Sequence, residues 1–157
     1  MQHIFDELAG GMPDADALAR IFVRLVLAAL LGAVVGIQRE RVGKPAGLRT
    51  HMLVSLGASL FVLACLESGM AHTQLSSVIQ GLATGIGFLG GGAILKVSAD
   101  REISGLTTAA GIWLTAGVGV AVGLGHWGMA AIAALLTWTI LAVLFRLEPE
   151  HKPHVKS

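Results

Sequence analysis

The chain has 157 residues, of which 54% are hydrophobic and only 13% charged, and its formal net charge is +1. Soluble domains carry about a quarter charged residues, so roughly half the usual charge is missing and water is not the natural solvent. The near-neutral balance disfavours a nucleic-acid binder, and a single cysteine, Cys65 inside an apolar run, excludes a disulfide framework.

The stretch from Met1 to Ala17 holds Asp6, Glu7, Asp14 and Asp16 and no Lys or Arg. A secretory signal opens on positive charge, so residues 1–17 read as an extramembrane N-terminal segment. Five apolar stretches follow, Leu18–Ile37, His51–Met70, Val78–Lys96, Leu106–Leu124 and Trp127–Phe145. Each is long enough to cross a hydrocarbon core of about 30 Å as an α-helix, the form that satisfies its own backbone in lipid. The expected fold is therefore an all-α membrane domain of about five transmembrane helices over residues 18–146, with a tail at 147–157. The third stretch is the one that a re-entrant course would suit best.

Basic residues cluster in the first connection (Arg39, Arg41, Lys44, Arg49), around the third (Lys96, Arg101) and at the C-terminus (Arg146, Lys152, Lys156). The positive-inside rule then places these parts in the cytoplasm and the N-terminus in the periplasm. Arg20 and Arg24 are exceptions near the outer end of the first helix, on one face. Glu67 lies at a similar depth on the second, so an intramembrane ion pair with Arg24 or Arg20 is expected; snorkelling to the interface is the alternative.

The chain also matches itself at one constant offset. Leu31-Gly32 aligns with Leu89-Gly90, Gly47-Leu48 with Gly105-Leu106, and Thr50 with Thr108. The two helix hairpins then form a parallel repeat, and the fifth helix stands outside it. Gly32 and Gly36, Gly81 and Gly85, Gly87 and Gly91, and Gly119 and Gly123 are G-x-x-x-G pairs, expected to let helix backbones pack closely. A local helix break at Gly90-Gly91-Gly92 is the functional alternative.

The segments Gly47–His51 and Gly105–Thr108 each lead into a helix from the cytoplasmic side. Helix N-termini carry free N–H groups and positive dipole ends. Arg49, Thr50, His51, Ser104, Thr107 and Thr108 therefore form a candidate site for an anion or a lipid headgroup; the alternative is helix capping and contact with the anionic leaflet. No Asp or Glu lies mid-span to ligate Mg²⁺. His151 and His154 stand beside prolines in the tail, and no nucleophile, zinc or phosphate-loop motif occurs. No metal, cofactor or catalytic residue is expected.

The segments LGAVVGIQRERVGKPAGLRTHMLVSLGASL (Leu31–Leu60), GLATGIGFLGGGAILK (Gly81–Lys96) and ISGLTTAAGIWLTAGVGVAVG (Ile103–Gly123) resemble, in order, the MgtC/SapB family of bacterial inner-membrane proteins. The resemblance implies an inner-membrane location and a role in ion homeostasis and adaptation to low magnesium or related stress. It also implies partners: some members are virulence factors thought to modulate ATP synthase or cation-pumping ATPases. Two departures stand out. The soluble C-terminal domain of MgtC-type members has no counterpart before Ser157, and His51 stands where such members tend to have Asn. The expectation is a non-enzymatic regulatory partner of a membrane ATPase or other membrane protein, homo-oligomeric and without nucleic acid. The rival is a small oligomeric transporter or channel for an ion or anionic solute.

Overall fold

A computed structural model describes residues 13–97 and 102–143. Most of the N-terminal segment, and the C-terminal tail with its histidines, lie outside these residues. The elements are α1 (Ala15–Arg41), α2 (Leu48–Glu67), α3 (His72–Gly92), β1 (Leu95–Val97), β2 (Glu102–Ser104), α4 (Leu106–Gly123) and α5 (Trp127–Val143). The protein is an all-α multi-pass membrane protein, with one short hairpin between α3 and α4. Three helices, α1, α2 and α4, are long and apolar enough to cross a membrane; α5 is apolar but has 17 residues.

Local chemistry sets the ends. The Asp14 carboxylate accepts the Ala17 N–H at 2.7 Å and starts α1. The helix thereby takes in Ala15, Asp16 and Ala17 from the segment expected to stay outside the membrane domain. The chain reverses after α1, α2 and α4 through left-handed glycines, Gly43, Gly69 and Gly125. In each turn the next N–H bonds back to a carbonyl of the last helical turn, as Lys44 does to Arg39.

The third element departs most from expectation. Helix α3 starts at His72 and ends at Gly92, not at Lys96. Its polar first turn hides the start from a hydropathy reading, and the chain after Gly92 becomes a strand. β1 pairs antiparallel with β2, Lys96 opposite Ile103. Gly90–Gly92 remain helical, so the alternative of a break at these glycines is not seen and the helix ends just after them.

Packing follows the repeat. A Cβ on Gly32 would lie 2.5 Å from the His51 carbonyl oxygen, and one on Gly90 would lie 3.5 Å from the Ala109 carbonyl oxygen. Gly32 corresponds to Gly90 in the repeat and His51 to Ala109, so α1–α2 and α3–α4 are equivalent hairpins. Helices α2 and α4 run parallel at the centre, since Gly119 faces Ser55 and Gly123 faces Ser59 and Val62. Helix α5 closes the groove between α1 and α4; Ala28, Val118, Val122, Ala130 and Ala134 meet there.

A Cβ at Gly32, Gly36, Gly119 or Gly123 would lie under 3 Å from an atom of the neighbouring helix, whereas nothing lies within 4 Å of one at Gly81, Gly85, Gly87 or Gly91. The reason is rotational phase. Helix α3 meets α4 through Gly90, while its two glycine pairs border open recesses, Gly81 and Gly85 beside Phe61 of α2 and Gly87 and Gly91 beside Ala109 and Trp113 of α4.

Candidate functional site

On α1, Gly32, Gly36 and Arg39 recur at i, i+4 and i+7 and so share a face. The two glycines let the α2 backbone come close, a Cβ on Gly36 falling 2.7 Å from Leu48 Cα. That approach carries Arg39 inside the bundle, where it is only 3% exposed. Its Nη2 donates to Thr108 Oγ1 in the first turn of α4, and its Nε has no partner. Its neighbour Gln38 donates from Nε2 to the Leu141 carbonyl at 2.9 Å, fastening α1 to α5.

Helix α2 presents His51, Ser55 and Ser59 along one face, all 0% exposed. The His51 Nδ1 lies 2.8 Å from Thr115 Oγ1, and that hydroxyl donates its proton to the Gly111 carbonyl. In a neutral ring Nδ1 is therefore the donor, which leaves Nε2 as an acceptor. His51 Nε2, Ser55 Oγ and Ser59 Oγ have no partner, nor has Gln38 Oε1. Buried polar groups without partners are costly, and an ionisable one within a membrane domain, here Arg39 or His51, marks a candidate functional site.

The two helix N-termini at this end of the bundle are finished differently. At α2 the Glu40 carboxylate accepts the Leu48 N–H at 2.7 Å. A Cβ on Gly47 would lie 2.8 Å from that carboxylate, which would have to shift to make room. At α4 the N-cap is Gly105 with φ +98, whose absent Cβ would fall on the Ala93 carbonyl, and among the described residues no side chain caps the turn.

Of the six residues expected to form an anion site, His51 and Thr108 lie in this buried seam and Thr50 is half-buried. Arg49, Ser104 and Thr107 are exposed. The charge brought to the seam is Arg39 and not Arg49. His51 points inward, and Arg49, two residues and about 200° away around the helix, must then point outward.

The expected ion pair at the other end does not form. Arg24 donates from Nη1 to the Gly123 carbonyl at 2.9 Å, satisfying the negative end of α4. Gly125 leaves room for the guanidinium, since a Cβ there would be 3.2 Å from Arg24 Nη2. Glu67 is exposed at the end of α2, and Arg20 lines an open recess of about 330 Å³ with Arg24 and Trp127.

The MgtC family model matches residues 25–149, a span that contains the whole seam. The chain belongs to the MgtC family. Among its relatives, SrpB of Synechococcus elongatus is 43% identical over 87% of this chain and 81% of SrpB. YhiD of Escherichia coli, whose name proposes magnesium transport, is 37% identical over 82% of this chain and 62% of YhiD. MgtC of Salmonella typhimurium is 37% identical over 73% of this chain. The chain spans only 48% of that MgtC. No solved structure matches the chain. Within this MgtC-family domain, Gln38, Arg39, Ser55, Ser59 and Thr115 escaped the sequence reading. The spacing of His51, Ser55 and Ser59 was the available clue to the ladder, and the phase of Gly32 and Gly36 was the clue to Arg39.

Proposed function

We propose that this chain serves magnesium homeostasis and adaptation to low magnesium as a non-enzymatic regulatory partner of other membrane proteins, without conducting Mg²⁺ itself. The observation that carries the reading is the sign of the buried charge. Among the described residues the charged side chain buried in the bundle is a cation, Arg39. No three His, Cys, Asp or Glu side chains come together among those residues either. A small, strongly hydrated divalent cation needs hard oxygen ligands and is repelled by a guanidinium. Family membership and the magnesium-related name of YhiD supply the physiological direction. The setting we propose is the bacterial inner membrane, with the N-terminus periplasmic, the C-terminus cytoplasmic, and a homo-oligomer or a membrane ATPase as partner. In liposomes loaded with a Mg²⁺-sensitive dye, the purified chain should admit Mg²⁺ no faster than protein-free vesicles; clear influx would overturn the reading. Deletion of its gene should still slow growth at low magnesium.

A second reading rests on the polar ladder. His51, Ser55 and Ser59 run along the α2–α4 interface between Arg39 at one end and Arg24 at the other. A path bracketed by arginines would favour an anionic solute over a cation.

A further inference from the structure

We propose that the first turn of α4, with Arg39 laid against it, is a binding site for a phosphate-type oxyanion. The inference is independent of whether the chain moves Mg²⁺.

The repeat itself supplies the comparison. In the first hairpin the N-terminus of α2 is met by a built-in anion, the Glu40 carboxylate on the Leu48 N–H. Leu106 occupies the equivalent position in the second hairpin, and among the described residues no side chain accepts its N–H. The first-turn N–H groups of α4 therefore keep the unpaired donors and the positive end of the helix dipole, equivalent to about half a charge.

Arg39 is the independent observation. It crosses from the first hairpin to the second and donates to Thr108, the third residue of α4. Its side chain is almost wholly withdrawn from solvent, and its Nε–H has no acceptor. No carboxylate among the described residues bonds to it. A full charge is thus buried beside a partial charge of the same sign, an arrangement that costs stability until an anion enters.

The donors are several: the Arg39 guanidinium, the first-turn backbone N–H groups and the exposed Thr107 hydroxyl. Such a set suits an anion with several oxygens better than a halide, and the planar guanidinium fork suits phosphate in particular. Leu106 and Thr107 are exposed, so the turn is reachable from outside the bundle. A free phosphate and a phospholipid headgroup offer the same chemistry.

The test uses the full chain. In neutral detergent, thermal unfolding and calorimetric titration are followed in sodium phosphate against sodium chloride of equal ionic strength. In nanodiscs, phosphatidylcholine alone is compared with a mixture containing phosphatidylglycerol. Stabilisation by inorganic phosphate assigns a soluble anion; stabilisation only by phosphatidylglycerol assigns the headgroup; either supports the site. Thr107→Glu places a carboxylate on an exposed first-turn position and should weaken the response about tenfold or more while the chain stays folded. Arg39→Gln should abolish it, and Thr107→Glu keeps the test valid if that variant does not fold. Arg49→Ala should change affinity by less than about twofold. Absence of stabilisation in both media overturns the proposal, as does an Arg49→Ala loss equal to that of Thr107→Glu.

Discussion

At Gly119 a Cβ would stand 2.1 Å from the Ser55 carbonyl oxygen, whereas at Gly85 it would meet nothing within 4 Å. The first is backbone, which cannot swing aside, so Gly119→Ala must push α2 and α4 apart. The expected loss is about 2 kcal/mol, within the usual range for overpacking. Gly85→Ala should leave stability unchanged or raise it by about 0.5–1 kcal/mol, the gain in helix propensity. Unfolding of both variants in detergent micelles measures the difference; equal losses would contradict this packing. The G-x-x-x-G spacing was legible at both positions, but spacing cannot say which glycine faces a neighbour. That depends on the rotation of each helix, and for α3 the contact through Gly90 decided it.

Helix ends are where the charged residues found their partners. Arg24 meets the last carbonyl of α4, so Arg24→Gln should destabilise the fold by about 1–2 kcal/mol. Glu67→Gln, at an exposed helix end, should stay within about 0.5 kcal/mol. A larger loss from Glu67→Gln than from Arg24→Gln would restore the ion pair expected from depth alone. Glu40→Ala removes the acceptor of the Leu48 N–H and should cost about 1 kcal/mol, the usual worth of a cap. Differential unfolding of the three variants under one set of conditions checks all of these. The charges at each depth could be read from sequence; their partners could not. A helix C-terminus offers carbonyls to any nearby cation, and which cation arrives depends on which helices are neighbours.

For the whole molecule, orientation is the expectation that charge carries: nine of the eleven Lys and Arg residues, all but Arg20 and Arg24, lie at or beyond the boundary proposed to be cytoplasmic. Reporter fusions at Ser157 should be active in the cytoplasm and fusions before Pro13 in the periplasm; the reverse pattern would overturn the orientation. Hydrophobic run length and Gly position by themselves determined the membrane class, four of the helices to within a few residues, and the repeat of two hairpins. These are properties of local sequence, since any helix in lipid must satisfy its own backbone and any close crossing needs a residue without bulk. Only the tertiary structure decided that Arg39, one of several charged residues in the first connection, is the one drawn inside. It did so because Gly32 and Gly36 bring α2 against that single face of α1. The same packing sets His51, Ser55 and Ser59 against α4, and among the described residues no side chain caps the first turn of α4. Helix rotation and neighbour choice are settled by the sum of all contacts, which no stretch of the chain holds alone.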